Sequence, residues 1–336
     1  MGIALQTMTN ELTHVFLLSV GAFLLAMFLT PIYTFFAYRY RFWKRQRSES
    51  TDGKKLKVFA KFQAAKLRRN IPTMAGVIGV ISIFVVTIFF NLDRAQTWLP
   101  LAALVGGGIV GLIDDIINLR GLGGGAAGLR SPVKFALITL IGVVLGWFFF
   151  AKLGVASFHV PFVGEVNIGW LIVPLFAFAV VATGNAVNIS DGMDGLAGGL
   201  LGISFGAFGV IALLQQHVIL AGFCFTVVGV LLSYLWFNIY PARFFMGDVG
   251  SFAYGACLGV VAMLTDSLLL LPVIGLLFVI EAGSSLTQIV SKKLFKRKIF
   301  LSAPIHHHLE AIGWPETKVT MRFWVIGCVM AFIGVM

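Results

Sequence analysis

Acidic residues are scarce in this chain: only 14 of its 336 residues are Asp or Glu. Cysteine is rarer, and Cys224, Cys257 and Cys328 all lie inside apolar stretches without the spacing of metal ligands. This pattern excludes a disulfide or zinc framework and predicts that the three thiols are packing residues. No Walker phosphate loop is present, and no small-residue cleavage site follows the first apolar segment. We therefore expect that segment to be a retained helix rather than a signal peptide.

Apolar residues dominate what remains. They make up 59% of the chain, with 32 Phe and 38 Gly, and the mean hydropathy is +0.95. A soluble core does not need this much apolar surface, so the composition predicts an all-α polytopic integral membrane protein with a single transmembrane domain, residues 1–336. Apolar stretches of spanning length predict ten transmembrane helices. They lie near 14–38, 72–91, 98–114, 133–151, 169–188, 195–214, 218–237, 252–265, 268–290 and 319–336.

Two local features accompany these spans. The 152–168 loop alternates around Pro161 and Gly164, which predicts a small β-hairpin. Pro272 and Gly283 predict kinks in the ninth span.

Basic residues segregate to one side of this arrangement. Of the 25 Lys and Arg, 23 fall on one side, and only Arg94 and Lys152 fall on the other. The positive-inside rule makes the rich side cytoplasmic and places both termini outside, in the periplasm or extracellular space. Two cytoplasmic loops result, a basic loop at 39–71 and a histidine-containing loop at 291–318. The basic loop either sets topology alone or also attracts anionic lipid headgroups and a polyanionic substrate.

Five aspartates sit where apolar spans meet loops on the predicted cytoplasmic face. They are Asp114, Asp115, Asp191, Asp194 and Asp248. A carboxylate beside hydrocarbon is costly and marks a functional-site candidate. In the adjacent pair at the end of the third span, one carboxylate can bind a metal while the other acts as a base that accepts a proton. Asp248, in a glycine turn, is an oxygen ligand suited to Mg²⁺.

The surroundings of these aspartates are polar and glycine-rich. The segment 185–199 places Asn188, Ser190 and two aspartates before a helix N-terminus, which offers free N–H groups to a phosphate or a base. Phe244 or Phe245 either stacks on a base or is an interfacial aromatic. We expect no thiolate or carboxylate ligand beside the three consecutive histidines, His306–His308. Recognition of phosphate is therefore favoured over a zinc site.

These motifs resemble one family in order and over essentially the whole chain. The Asp-Asp pair, Asn-x-Ser-Asp-Gly-Met-Asp-Gly and Phe-Met-Gly-Asp-x-Gly-Ser are similar to the polyprenyl-phosphate N-acetylhexosamine-1-phosphate transferase superfamily. The segment Ala303-Pro-Ile-His-His-His-Leu-Glu resembles its phospho-N-acetylmuramoyl-pentapeptide-transferase branch. The resemblance implies a multi-pass enzyme of the bacterial inner membrane with a cytoplasmic active site. It also implies peptidoglycan synthesis, in which phospho-MurNAc-pentapeptide passes from its UDP derivative to undecaprenyl phosphate, giving lipid I and UMP with Mg²⁺ as cofactor.

The resemblance also assigns roles. Asp114 and Asp115 are implied as catalytic and Asp248 as catalytic and metal-binding, in either a one-step transfer or a route through a covalent aspartyl intermediate. The implied substrate-binding residues are Arg68, Thr73, Lys134, Asn188, Asp191, Asp194, Asn238, Phe245, His306, His307 and His308. A homodimer is a further family expectation, and no nucleic acid is expected as a partner.

The chain departs from the family pattern at two places. Asn118 stands where the family usually has a lysine three residues after the second aspartate, and Arg68 replaces another lysine. The charge at 118 is either supplied by Arg120 or Arg130 or lost. Two other functions stay open: a sister transferase that uses UDP-N-acetylglucosamine, against which the histidines argue, and a membrane transporter, which would place acids nearer the bilayer midplane.

Overall fold

A computed structural model describes residues 2–43, 70–121 and 128–336. Helices dominate it, with one small hairpin. The elements are α1 (Gly2–Arg39), α2 (Gly76–Phe90), α3 (Trp98–Arg120), α4 (Ser131–Leu153), β1 (Ser157–Val160), β2 (Gly164–Asn167), α5 (Ile172–Ser190), α6 (Leu196–Leu214), α7 (Val218–Asn238), α8 (Gly247–Leu264), α9 (Leu271–Ile274), α10 (Leu276–Phe295), α11 (Ile305–Ala311) and α12 (Glu316–Val335). Single 3-10 turns precede α5 and α9.

Most of the helices have the length and apolar composition of membrane spans. Within the described residues, eight are long and apolar enough to cross one, or nine if the bent pair 268–274 and 276–295 forms one span. The 15-residue α2 is apolar but shorter. Large apolar side chains such as Phe28, Phe178 and Trp236 are about 70% exposed on the outer surface, which suits contact with lipid rather than water. The chain is thus an all-α polytopic membrane protein apart from its hairpin.

Helix α8 occupies the centre of the bundle. One side of it, including Tyr254 and Leu258, joins a core with residues of α1, α2, α6, α7 and α12. The other side, including Phe252 and Val260, joins a second core with residues of α3, α4 and α5. A helix that is buried all round must be apolar all round, and only Asp248, in its first turn, carries a charge.

Glycines bring α3 against α8. A Cβ atom at Gly107 would lie 2.6 Å from the carbonyl oxygen of Phe252, and one at Gly111 would lie 2.1 Å from the carbonyl oxygen of Asp248. Neither distance is compatible with a side chain, so the backbones can touch only because both residues are glycine. This contact fixes the next turn of α3 beside the start of α8.

Two predicted helix boundaries near this contact are wrong. The third span was expected to end at Asp114, but α3 continues to Arg120 and is capped by Gly121 in the left-handed conformation. The eighth was expected to start at 252, but α8 begins at Gly247. In both places polar residues lower the hydropathy while the backbone hydrogen bonds continue, so hydropathy alone underestimates the helix.

The ninth predicted span is broken rather than kinked. The segments 268–274 and 276–295 meet at about 80° at Gly275. Pro272 lies in the first turn of the short α9, three residues before the break. Helix α10 is continuous through Gly283, so the second expected position does not break the span.

The predicted hairpin is confirmed at the opposite end of α8 from Asp248. Strands β1 and β2 pair antiparallel, and the backbone N–H of His159 donates to Oδ1 of Asp266 at 2.8 Å. Asp266 follows α8 directly, so roughly 27 Å separates it from Asp248, at 1.5 Å per residue over the 18-residue helix. His159, Glu165 and Asp266 lie close enough together to share a cation, but the two hairpin residues are exposed.

The cysteine prediction holds for two residues of three. Cys224 and Cys257 are fully buried packing residues. Cys328 is exposed on the outer face of α12, so its assignment as a packing residue is wrong.

Candidate active site

Three carboxylates converge where α3 meets the start of α8. Ligand oxygens of Asp114, Asp115 and Asp248 all lie within 4.8 Å of one another, and all three residues are buried. Buried like charges this close repel strongly without a compensating cation. Carboxylate oxygens are also the ligands that Mg²⁺ prefers. The donor set therefore fits a hard divalent cation, and three of the five aspartates selected from the sequence lie together.

Lys134 supplies positive charge to this cluster. Its Nζ lies 2.6 Å from Oδ2 of Asp248 and 3.0 Å from Oδ1 of Asp114. The same atom lies 5.2 Å from the centre of the Phe252 ring. Lys134 stands in the first turn of α4, where Pro132 favours helix initiation. An ammonium held between two carboxylates neutralises part of their charge.

The two adjacent aspartates face different neighbours. Asp114 accepts a 2.7 Å hydrogen bond from the backbone N–H of Leu129, in the chain that leads into α4. Asp115 accepts a 3.1 Å hydrogen bond from the N–H of Val249, in the first turn of α8. The two carboxylates therefore have different backbone partners, although both reach the same cluster.

Gly247 is required for this arrangement. Its φ of +75° lies in the left-handed region, and a Cβ there would lie 2.6 Å from Oδ2 of Asp115. Only glycine meets both conditions. As a result, Asp248 enters the first turn of α8, where the free N–H groups and the helix dipole favour a carboxylate.

The Pro-Thr-Met segment lies against the same turn. The N–H of Phe245 donates to the carbonyl of Pro72 at 2.8 Å, and the N–H of Ala75 donates to the carbonyl of Phe245 at 3.0 Å. Thr73, one of the predicted substrate residues, is buried, and its carbonyl accepts from the hydroxyl of Tyr33. Phe245 is half-buried beside it.

The turn between α5 and α6 adjoins the carboxylates through Asn188. Its Nδ2 donates to Oγ of Ser251 at 2.9 Å, one turn along α8 from Asp248. Asp191 ends α5 and is half-buried. Asn188 thus lies on the side of the turn that faces the cluster.

Asp194 and Asn238 hold backbone groups. Oδ2 of Asp194 accepts from the N–H of Ala242 at 3.0 Å. Oδ1 of Asn238 accepts from the N–H of Gly195 at 2.9 Å, and its Nδ2 donates to the carbonyl of Phe244 at 2.8 Å. Both side chains are almost fully buried, so they tie the turn to the segment that carries Phe245.

His306 brings the histidine loop to the same turn. Its ring is fully buried, and Nδ1 lies 2.7 Å from Oε2 of Glu281, which is also fully buried. A Cβ at Gly192 would lie 2.4 Å from Nε2 of His306. The imidazole is therefore held between a carboxylate of α10 and the glycine of the α5–α6 turn.

The other two histidines have separate partners. Nδ1 of His307 lies 2.8 Å from Oε2 of Glu310, and Nδ1 of His308 accepts from the N–H of Leu301 at 3.2 Å. Burial lowers the pKa of His307 below its ordinary value, opposed by its hydrogen bond to Glu310, so the ring favours the neutral form. The expectation that no carboxylate adjoins the histidines is wrong. Within the described residues, however, these side chains do not form a cluster with metal-ligand geometry.

Glu281 is a buried residue beside the site that was not selected from the sequence. It lies inside the predicted ninth span, where a carboxylate in an apolar stretch is itself a signal of function. Asn118 is buried in α3 one turn after Asp114, whereas Arg120 and Arg130 are exposed. Arg68 and most of the basic 39–71 loop lie outside the described residues.

Comparisons with known proteins agree with these motifs. Residues 97–266 match the family described as Glycosyl transferase family 4. The proteins named phospho-N-acetylmuramoyl-pentapeptide-transferase in Chloroflexus aggregans, Geobacillus thermodenitrificans and Oceanobacillus iheyensis are 38%, 36% and 35% identical to this chain. The alignments cover 100%, 94% and 97% of this chain and 92%, 94% and 98% of those proteins. The chain therefore belongs to the phospho-N-acetylmuramoyl-pentapeptide-transferase family.

Proposed function

We propose that this protein transfers phospho-MurNAc-pentapeptide from UDP-MurNAc-pentapeptide to undecaprenyl phosphate. The products are UMP and undecaprenyl-diphospho-MurNAc-pentapeptide, the lipid I of peptidoglycan synthesis. The observation that carries the proposal is the buried group Asp114, Asp115, Asp248 and Lys134 at one end of an apolar helix bundle. A reaction between a water-soluble diphosphate and a membrane-bound phosphate needs such a site at the end of spanning helices.

Charge neutralisation is the main demand of this reaction, because both reactants are anions. Asp248 is the proposed ligand of Mg²⁺, and Asp114 and Asp115 lie within reach of the same ion. When bound, Mg²⁺ would offset the negative charge of the diphosphate. Before substrate enters, Lys134 offsets part of the negative charge of the cluster. As substrate enters, it would move from its carboxylate partners to a phosphate oxygen.

The adjacent aspartates are the proposed catalytic carboxylates. In the one-step route, one of them takes the proton of the lipid phosphate, whose oxygen then attacks the β-phosphorus of the donor and expels UMP. In the alternative route, an aspartate carboxylate attacks the β-phosphorus first and expels UMP. The lipid phosphate oxygen then attacks the same phosphorus and releases the aspartate. Asp114 and Asp115 have different neighbours, Leu129 and Val249, so the two carboxylates are chemically distinct in either route.

The nucleotide is proposed to lie against the α5–α6 turn. Asn188 bonds Ser251 beside the cluster, and Thr73 lies in the segment whose backbone bonds Phe245. In this proposal Asn188 and Asp191 hold the uridine, and Phe245 stacks on uracil. Asp194 and Asn238 contribute to this subsite by fixing its backbone. The proposed sugar and diphosphate side is formed by His306, His307 and His308 together with Lys134, and Arg68 is assigned to substrate binding on the family pattern alone.

The surrounding architecture follows from the same proposal. The chain would form one transmembrane domain with ten spans, α2 counting as one and α9–α10 as another. Both termini would lie outside, and the site end would face the cytoplasm from the bacterial inner membrane. We also propose a homodimer as the working form. The orientation is supported by the segregation of basic residues, because only Arg94 and Lys152 fall on the outer side.

The test is a donor comparison. Detergent-solubilised protein with Mg²⁺ and undecaprenyl phosphate should release UMP from UDP-MurNAc-pentapeptide. Turnover with UDP-N-acetylglucosamine alone would indicate the sister transferase, and no turnover with either donor would contradict the proposal and return a transporter to consideration. Asp248→Asn should lower kcat about a hundredfold or more without changing the thermal unfolding midpoint by more than a few degrees. An active Asp248→Asn protein would remove the proposed metal role.

A further inference from the structure

One face of the last helix is bonded to the α5–α6 turn. Glu316, Thr320 and Trp324 are spaced four residues apart on α12, so their side chains lie on one face. All three form hydrogen bonds with the backbone of the same two residues, Asp194 and Gly195. None of the three was selected from the sequence.

The bonds engage the turn from both sides. Oε1 of Glu316 accepts from the N–H of Asp194 at 2.6 Å, and Oγ1 of Thr320 donates to the carbonyl of Asp194 at 3.2 Å. Nε1 of Trp324 donates to the carbonyl of Gly195 at 3.1 Å. With Asn238 on the N–H of Gly195, each backbone polar group of these two residues has a partner.

These hydrogen bonds matter because the glycines of the turn give its backbone many accessible conformations. Gly195 has a φ of +76°, and Gly192 lies three residues before it. Glycine has the largest conformational freedom of any residue, so a glycine-containing turn loses entropy when it is fixed. Helix α12 also packs closely against α6, since a Cβ at Gly199 would lie 2.0 Å from Nε1 of Trp324.

We propose that α12 positions the nucleotide subsite, with Glu316 as the principal positioning residue. The carboxylate of Glu316 forms the shortest of the three bonds, and a bond from an N–H to a carboxylate is stronger than a neutral one. The proposal rests on the proposed function, because it takes the α5–α6 turn as the place where the nucleotide binds. It assigns no chemistry to α12, whose three side chains bond the turn's backbone.

A positioning role has a specific kinetic signature. If Glu316 fixes the turn that receives the nucleotide, removing it weakens donor binding and leaves the acceptor lipid phosphate unaffected. Glu316→Ala should therefore raise the KM for the UDP-sugar and the inhibition constant of UMP about tenfold, the equivalent of one charge-assisted hydrogen bond. The KM for the lipid phosphate and kcat should change by less than about twofold.

Two further variants separate positioning from general damage. Glu316→Gln retains an acceptor oxygen for the N–H of Asp194 and should restore most of the donor affinity. Thr317→Ala, at an exposed position next to it, should match the unsubstituted protein. The inference is overturned if Glu316→Ala leaves the donor KM unchanged, if Glu316→Gln is as impaired as Glu316→Ala, or if all kinetic constants change together.

UMP binding separates this inference from the proposed function. Calorimetric titration of UMP into the unsubstituted protein and Glu316→Ala needs no turnover. If the protein binds UMP and Glu316→Ala binds it about tenfold more weakly, the positioning role stands even where no transfer is detected. If UMP does not bind the unsubstituted protein, both proposals fail; if both proteins bind it equally, only the role of Glu316 fails.

Discussion

Nδ1 of His306 lies 2.7 Å from Oε2 of Glu281, and neither side chain is exposed. A carboxylate beside Nδ1 favours the tautomer or charge state with a proton on that nitrogen. The other nitrogen, Nε2, then faces Gly192 in the turn between α5 and α6. The contact with Glu281 thus holds the ring with Nε2 toward the proposed substrate subsite.

We predict that Glu281→Gln lowers kcat/KM for the UDP-sugar about tenfold or more. Glutamine has the same shape, but it does not stabilise a proton on Nδ1 as a carboxylate does, and it can bond the ring in either tautomer. Steady-state kinetics with UMP release measures the effect. The matched control is Glu165→Gln on the exposed hairpin, which should leave kcat/KM within twofold; equal activity of all three proteins would contradict the role of Glu281.

Gly192 offers a second test of the same contact. A Cβ there would lie 2.4 Å from Nε2 of His306, so Gly192→Ala must displace the imidazole or the turn. We expect the variant to lose at least tenfold in kcat/KM. Gly202→Ala on α6 is the control, because a Cβ at Gly202 meets nothing within 4 Å and alanine favours a helix. An impaired Gly202→Ala with an active Gly192→Ala would reverse the assignment.

Much of this site could be predicted from the sequence, because costly residues in an apolar chain stand out. Asp114, Asp115 and Asp248 were selected as carboxylates at span ends, and the structure brings them together. The sequence could not show the contact that achieves this, the crossing of α3 and α8 at Gly107 and Gly111, because glycines in an apolar helix serve many packing contacts.

Hydropathy did not predict two features of the ninth span. Glu281 was absorbed into a predicted span, although its burial beside His306 depends on a histidine 25 residues away. The break of the ninth span lies at Gly275, three residues after Pro272, where one of the two kinks was expected, but its angle of about 80° was not foreseen. The burial of Glu281 beside His306 depends on a contact between residues far apart in the chain, and such a contact cannot be read from hydropathy.

Lys134 leads to a prediction in which activity and metal affinity move in opposite directions. Its Nζ contacts Asp248 and Asp114 at 2.6 and 3.0 Å, so it competes with a cation for the same oxygens. Lys134→Gln should bind Mn²⁺ roughly tenfold more tightly in the absence of substrate, since a positive charge leaves the cluster. Its turnover should fall at least tenfold, since the diphosphate loses a cationic partner.

Calorimetric titration of Mn²⁺, followed by kinetics on the same preparations, checks both directions. Lys152→Gln, at the other end of α4, is the matched control and should change neither quantity. If Lys134→Gln binds Mn²⁺ more weakly than the unsubstituted protein, the lysine assists metal binding and the competition is disproved.

The hairpin gives a prediction about pH that is independent of the active site. Partial burial and the neighbouring Glu165 raise the pKa of Asp266 above its ordinary value. The hydroxyl of Ser157 and the contact with Asp266 lower the pKa of Glu165. The folded state thus prefers Asp266 protonated, so its contribution to stability is present at low pH and is lost as pH rises through the raised pKa.

Asp266→Asn removes that loss while Oδ1 of asparagine can still accept from the N–H of His159, as Asp266 does at 2.8 Å. We expect the variant to unfold at a higher temperature than the unsubstituted protein at pH 7, by on the order of one degree because the site is partly exposed. The difference should vanish below about pH 4, where the aspartate is protonated. Thermal unfolding of the detergent-solubilised proteins across this range measures it. A variant that is less stable than the unsubstituted protein at pH 7, with the deficit disappearing at low pH, would show that the charge of Asp266 favours the fold instead.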